Sequence, residues 1–159
     1  MEDQLNYGQA LTRLMEWCSK SERCIYEARV KLAKFELSDI QLDNAINDLI
    51  KEKFLDDSRY VRFYVNDKFR FNKWGKIKLH FMLRQKQIDE LTIIDALDGI
   101  DDELYLKTLR ELLLTKIKSV KGTSDYERKG KLANYAQSHG FEGDVAYRII
   151  NELIGSNEH

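Results

Sequence analysis

The 159-residue sequence contains no proline, only eight glycines and only two cysteines. Proline breaks helix interiors because it has no N–H to donate, so its absence leaves long stretches free to be helical. Cys18 and Cys24 lie six residues apart without a second pair, which does not fit the ligand spacing of a zinc site and is weak evidence for a disulfide. We therefore expect buried or half-buried free thiols and a fold stabilised without metals or disulfides.

Long hydrophobic runs are also missing. No stretch approaches the ~20 uncharged apolar residues that a membrane span requires. The start of the chain, Met1–Gln4, has neither the basic nor the apolar region of a secretion signal. Hydrophobic residues make up 43% and charged residues 33% of the sequence, which is a globular composition. We expect a cytoplasmic protein that folds on its own.

The constellations that catalysis or metal binding requires are absent from the pattern. His80 and His139 are isolated and His159 is terminal, so no triad or ligand set is indicated. The glycines form no phosphate-binding motif, and Gly140 is most simply a left-handed helix cap. Asp56–Asp57 could be read as paired catalytic carboxylates, but it is better explained as a helix start. We expect no enzymatic activity, no cofactor and no small-molecule substrate.

Apolar residues recur at intervals of three and four, which predicts helices throughout the chain. The segment that contains Leu42, Ala45 and Leu49 is the clearest case. The start of this predicted helix is also indicated, because Ser38 followed by Gln41 is typical of a capping box.

The chain also repeats a pattern with a period near 50 residues. Three apolar pairs share a spacing of five, and each is followed eight or nine residues later by an adjacent apolar pair. The pairs are Leu32 and Leu37, Leu83 and Ile88, and Ala136 and Phe141, followed by Ala45–Ile46, Ala96–Leu97 and Ile149–Ile150. Each copy is interpreted as a unit of three helices.

Three such units fill the sequence, at 1–55, 56–100 and 101–159. The first helix of each is predicted at Tyr7–Trp17, Asp57–Phe71 and Asp102–Ser119; the others follow Ser21, Ser38, Trp74, Asp89, Ser124 and Glu142. The predicted fold is all-α, with three tandem three-helix repeats in an elongated, curved array. Arrays of this type present an extended concave surface suited to binding macromolecules.

Charge is distributed in blocks although the net charge is only −1. The segment from Arg59 to Lys86 contains nine basic residues and one acidic residue, which gives it a local charge of +8. Asp89–Glu103 then carries seven acids without a Lys or Arg, and Lys107–Lys131 carries eight basic residues against three acids. A sustained basic segment creates a local potential that attracts an acidic protein face or nucleic-acid phosphate.

The sequence resembles the RecX family of bacterial recombination regulators over nearly its whole length, and three motifs carry the resemblance. They lie at Arg23–Leu32, at Phe54–Val61 and at Trp74–Ile88, where a glycine-containing turn enters a basic helix that ends Leu-Arg-Gln-Lys-Gln-Ile. The turn at Ala136–Phe141 is similar to the family's Arg-Arg-Gly-Phe turn. Cys24, Gln87 and Ser138–His139 depart from the family's usual Ser, Gly and basic residues.

The resemblance implies a non-enzymatic protein of the bacterial cytoplasm that acts in DNA repair, recombination and the SOS response. Its partner would be the RecA recombinase filament, in whose groove it would lie and whose recombination and ATPase activity it would inhibit or modulate. Some family members are associated with direct DNA binding. A DNA-binding regulator that uses the basic second repeat is therefore the alternative.

The candidate partner-binding residues, for RecA or DNA, are Arg70, Lys73, Trp74, Lys76, Lys78, Arg84 and Lys86. The competing interpretation is a solvated helical surface without a partner. Aromatic residues lie among these charges and could stack on bases, but most of them are expected in the core. Trp74, beside Gly75 in a turn, is the one expected to be exposed.

Overall fold

The structure of the protein is a computed structural model that describes the backbone of residues 2–155 and the side chains of residues 7–155. Every regular element in this range is an α-helix, which confirms the all-helical prediction. In chain order the helices are α1 (Glu2–Lys20), α2 (Ile25–Leu32), α3 (Asp39–Lys51), α4 (Asp57–Asn72), α5 (Lys76–Arg84), α6 (Glu90–Asp98), α7 (Asp102–Ile117), α8 (Asp125–Ser138) and α9 (Gly143–Leu153). His159 lies outside the described residues.

The predicted capping box begins α3. The Ser38 N–H donates to Gln41 Oε1 at 2.9 Å, and the Gln41 N–H donates to Ser38 Oγ at 3.2 Å. Two N–H groups that the helix itself leaves unpaired are thereby satisfied by side chains that lie three residues apart.

Helix α2 begins at Ile25, which corrects the start after Ser21 that the sequence suggested. The Cys24 N–H donates to Glu27 Oε1 at 3.1 Å, and the Ile25 N–H donates to Asp57 Oδ1 at 2.9 Å. The second acceptor is 32 residues away in the sequence. No local sequence pattern could reveal the hydrogen bond from Ile25 to Asp57. Without that hydrogen bond, Ser21 was the better candidate for the N-cap of α2.

The adjacent carboxylates Asp56 and Asp57 each cap a helix, as a helix-start interpretation requires. Asp56 Oδ1 accepts the Arg59 N–H of α4 at 3.0 Å, and Asp57 caps α2. Burial raises the pKa of Asp57, and the neighbouring carboxylates of Asp56 and Glu27 add to the effect. The hydrogen bond from Ile25 opposes the shift without cancelling it.

Residues up to Tyr64 and Leu83–Ile93 form one compact unit. Its core consists of the buried residues Ala10, Leu14, Ala28, Leu32, Ala45, Ile46, Leu49 and Leu55. Cys18 is half-buried and Cys24 is buried, and both are free, as the sequence predicted. Burial raises the pKa of the Cys24 thiol to about 12, so it is protonated and unreactive at neutral pH.

Val65–Met82 and the residues from Ile94 onward form a second compact unit. Its fully buried side chains include Leu79, Leu109, Leu113, Leu132, Ala136, Phe141, Ala146 and Ile150. The division into repeats at 1–55, 56–100 and 101–159 stays a prediction.

The apolar positions of the sequence repeat are buried in the structure except for Leu37 and Ala96, which are half-buried. Leu32, Leu83 and Ala136 are fully buried, and so is Phe141. The residue before Ile88 and the residue before Phe141 both have left-handed backbone conformations, with φ of 57° at Gln87 and 89° at Gly140. Gln87 therefore adopts a conformation that glycine adopts without strain.

We expect Gln87→Gly to stabilise the protein by about 1 kcal/mol, because it relieves a left-handed conformation that is costly for a residue with a Cβ. Chemical denaturation measures the change. The matched control is Gln9→Gly in the interior of α1, where Gln9 is exposed. There the same substitution should cost about 1 kcal/mol. Equal effects of both substitutions would contradict the assignment of strain to Gln87.

We expect the stability gained by Asp57→Asn, relative to the wild type, to grow as the pH rises from about 4 to about 7. A carboxyl whose pKa is raised on folding favours the folded state while it is protonated, and this contribution is lost as the pH rises through the folded pKa. Asparagine keeps an oxygen for the Ile25 N–H and carries no charge. Urea unfolding at several pH values measures the difference; parallel stability curves for the two proteins would show that Asp57 is not the titrating group.

Candidate partner-binding surface

The turn before α5 carries the centre of the predicted surface and is attached to the end of α8 by backbone hydrogen bonds. The Gly75 N–H donates to His139 O at 2.7 Å, and the Ile77 N–H donates to Gly140 O at 3.0 Å. A Cβ at Gly75 would overlap the backbone of Gly140, and one at Gly140 would overlap Lys78. Glycine at both positions is what allows the two turns to touch.

A third N–H of the same helix start is bound by a side chain. The Lys76 N–H donates to the Tyr105 hydroxyl at 2.9 Å, and this hydroxyl donates to Glu142 Oε1. Burial raises the pKa of Tyr105, and the hydrogen bond to Glu142 adds to the shift. The N–H groups of Gly75, Lys76 and Ile77 at this helix N-terminus are therefore occupied and are not available to bind a phosphate group.

The Tyr105 ring lies at the centre of an aromatic cluster. Its centroid is 5.8 Å from that of Phe69 in a stacked arrangement and 5.1 Å from that of Phe141. Lys76 Nζ lies 5.0 Å from the same centroid. The cluster fixes the base of the turn, and the Lys76 charge is held against a ring face rather than extended into solvent.

Trp74 is half-buried and lies between two cations. Lys78 Nζ is 4.6 Å and Lys68 Nζ is 5.6 Å from its ring. Lys78 Nζ also lies 3.4 Å from Ser138 O, at the limit for a hydrogen bond. The expectation that Trp74 is exposed is therefore met only in part, because one lysine covers it at close range.

His139 supports the turn rather than a metal. Its Nδ1 lies 3.1 Å from Lys73 O, which fits a ring nitrogen that donates to a carbonyl. Lys73 has a left-handed backbone with φ of 57°, and its Nζ donates to Arg70 O at 2.9 Å. The described side chains, those of residues 7–155, include no group of three or more His, Cys, Asp or Glu that could hold a metal ion.

Two exposed aromatic residues on α4 were expected in the core, and this expectation was wrong. Phe71 is 73% and Phe63 is 49% exposed, whereas Tyr60 and Phe69 are buried as predicted. The guanidinium of Arg70 lies 5.6 Å from the Phe71 ring. Helical spacing could not predict that Phe71 is exposed, because Phe71 lies two turns after Tyr64 on the same face of α4. The burial of Phe71 depends on which other element covers the last turn of the helix.

The exposed face of α5 carries two further apolar residues that sequence reasoning missed. Ile77 is 55% and Phe81 is 60% exposed, one turn apart, while Leu79 and Leu83 on the opposite face are fully buried. The sequence does contain two apolar pairs at helical spacing, Ile77 with Phe81 and Leu79 with Leu83. The spacing alone does not show which of the two pairs faces the core.

Arg84 and Lys86, the last two predicted site residues, belong to the first unit and have intramolecular partners. Arg84 Nη1 donates to Ile88 O at 2.8 Å, and its Nε is 3.4 Å from Glu90 Oε2. Lys86 Nζ is 3.3 Å from Glu27 Oε2. The structure thus places Arg70, Lys73, Trp74, Lys76 and Lys78 together in the second unit and gives Arg84 and Lys86 contacts of their own. Whether they bind a partner stays a prediction.

Residues of the first unit line two of the open clefts in the described part of the chain. One, of about 470 Å³, is lined by Tyr7, Gln41, Asn44, Asn47 and Asp48. The other, of about 240 Å³, includes Cys18, Glu22, Lys53 and Arg59. Arg59 donates hydrogen bonds to Glu22 at 2.7 Å and to the carbonyl oxygens of Lys53 and Phe54.

Among the described helices, none has both the length and the apolar character to cross a membrane.

The structure defines an all-helical protein with a basic, aromatic-rich surface in its second unit. Residues 56–97 match the model of the RecX second three-helix domain, and residues 102–150 match that of the third. The chain is 30% identical over 156 residues to the regulatory protein RecX of Clostridium acetobutylicum, covering 96% of this chain and 72% of that protein. It belongs to the RecX family of regulatory proteins.

Other relatives agree with this assignment. The chain is 28% identical to the regulatory protein RecX of Lactobacillus johnsonii, over 92% of its own length and 54% of that protein's. It therefore spans about half of that longer relative. The crystal structure of RecX from Lactobacillus salivarius matches with a TM-score of 0.85 at 22% identity, covering 93% of this chain and 96% of that one. This likeness supports the fold.

Tyr105→Phe should lower the free energy of unfolding by about 1–3 kcal/mol, because it leaves the buried Lys76 N–H without an acceptor and Glu142 without a donor. Thermal and urea unfolding measure the loss. Tyr126, which is 89% exposed, offers the control. Its substitution by phenylalanine should change stability by less than about 0.5 kcal/mol, and a Tyr105→Phe protein as stable as this control would contradict the role assigned to the hydroxyl.

Proposed function

We propose that the protein binds the RecA recombinase filament in the bacterial cytoplasm and inhibits or modulates its recombination and ATPase activity. The observation that carries the proposal is membership of the RecX family over almost the whole chain. In this mechanism the protein acts by occupancy: it lies in the filament groove and competes with filament extension or strand exchange. No reaction at the protein itself is involved.

The surface of the second unit supports a protein partner. Phe71 is exposed beside Arg70 and Lys73, and aromatic residues and arginine are enriched in protein–protein interfaces relative to the rest of the surface. Arginine and aromatic side chains also dominate the energetics of protein interfaces. Several cations here are already held by rings or carbonyls, which reduces the entropy they lose on binding.

A regulator that binds DNA directly is the second candidate, and the exposed Phe71 beside Arg70 is the feature that favours it. An aromatic ring next to a cation can stack on a base while the cation contacts phosphate.

Entry of a recognition helix into the DNA major groove is disfavoured by charge. The third helix of each predicted repeat is acidic: α3 has three aspartates and one lysine, α6 has three acids and no base, and α9 has two acids and one arginine. In helix-turn-helix proteins the corresponding helix lies among the phosphates of the groove. DNA binding here would have to use another surface.

Co-sedimentation separates the two candidates. The protein is mixed with RecA filaments on single-stranded DNA and, in parallel, with the naked DNA at moderate salt, and filament ATP hydrolysis is measured. We expect it to pellet with filaments and slow ATP hydrolysis, and to stay in solution with naked DNA. Equal binding to naked DNA with a steep loss in salt, and no effect on ATP hydrolysis, would overturn the proposal in favour of direct DNA binding.

The double variant Arg70→Glu/Phe71→Ser tests the surface. Both side chains are exposed, so the fold should be kept while affinity for the filament falls by about tenfold or more. The matched control is Tyr126→Ser/Lys129→Glu, which removes the same two chemical types from α8. If both double variants inhibit like the wild type, the contact lies elsewhere.

A further inference from the structure

Helices α5 and α6 carry opposite charge. Helix α5 contains Lys76, Lys78 and Arg84 and no acid. Helix α6 contains Glu90, Asp95 and Asp98 and no base. Arg84 and Glu90 already pair with each other at 3.4 Å within the chain, so the charges that remain for a partner are Lys76 and Lys78 on α5, and Asp95 and Asp98 on α6.

Each of these helices also exposes an apolar pair at helical spacing. Ile77 and Phe81 on α5 are 55% and 60% exposed, and Leu91 and Ile94 on α6 are 70% and 38% exposed. Spacings of four and three residues place each pair on one face of its helix. On α6, the exposed Asp95 lies one turn after Leu91, so an acid borders the apolar pair.

We propose that these two faces bind each other between copies of the chain, with α5 of one copy packed against α6 of the next. The apolar pairs would be covered, and the basic border of α5 would meet the acidic border of α6. Two α5 faces, or two α6 faces, would instead bring like charges together. Charge complementarity thus selects a heterologous contact over a two-fold symmetric one.

The contact is small, so the association is weak. Four partly exposed side chains bury far less than the roughly 1,200 Å² typical of stable complexes. It should therefore appear at high protein concentration and low salt, where the opposite charges are least screened. The proposal does not depend on the recombinase as a partner, and its test contains none.

Sedimentation equilibrium of the whole chain tests the proposal. In about 50 mM salt, the average mass should rise above the 18.8 kDa of one chain as protein increases to about 300 µM, and about 500 mM salt should restore the monomer. A monomer at every concentration in low salt would overturn the proposal.

Two variants, each altering one face, sharpen the test. Phe81→Glu places an acid on the basic face, and Leu91→Ser removes the more exposed apolar side chain of the acidic face without adding a charge; each alone should remain monomeric. Mixed in equal amounts they should form a dimer that grows no further, because one copy keeps an intact α6 and the other an intact α5. Tyr126→Glu, at an exposed position of α8, should assemble like the wild type.

Other outcomes are equally decisive. If only Phe81→Glu prevents assembly, α5 pairs with α5 and the proposed contact is wrong. If the mixture of the two variants stays monomeric, or if both variants assemble like the wild type, the contact is also wrong. Circular dichroism of each variant shows that helix content is unchanged.

Discussion

The second compact unit depends on one backbone junction, in which the first turn of α5 binds the last carbonyls of α8. A helix start has N–H groups without partners and a helix end has carbonyls without partners, so placing one against the other satisfies both. It also puts the positive end of one helix dipole beside the negative end of another. The approach is possible only because neither Gly75 nor Gly140 has a side chain. Tyr105 supplies the remaining acceptor and is held in turn by Glu142.

This junction determines what the basic turn can bind. Lysines beside a helix N-terminus would ordinarily suggest a phosphate site, but the N–H groups of Gly75, Lys76 and Ile77 already have partners. The side chains that project outward near this turn include three exposed apolar ones, Phe71, Ile77 and Phe81. Their cationic neighbours are partly engaged by rings and carbonyl oxygens. Such a surface suits a shaped protein partner better than a bare polyanion.

The structure places the blocks of opposite charge on consecutive helices. A chain whose net charge is only −1 still presents strongly basic and strongly acidic helices in succession. The acidic character of α3, α6 and α9 argues against a DNA-binding mode in which one of these helices enters the major groove among the phosphates. Charge pattern and fold thus give different information, and function follows from the combination.

The sequence by itself was sufficient for the helices, the capping box at Ser38 and the apolar repeat, because these depend on residues three to five apart. It also indicated the left-handed cap at Gly140 and the family. The start of α2 required Asp57 from 32 residues away, and the exposure of Phe71 and Phe81 depended on which faces of α4 and α5 are covered. The sequence did not show that Lys86 pairs with Glu27 or that Arg84 donates to Ile88 O, because both contacts form only in the folded chain. Periodicity shows that a helix has an apolar face, but only packing between distant segments establishes which apolar groups and charges remain available to a partner.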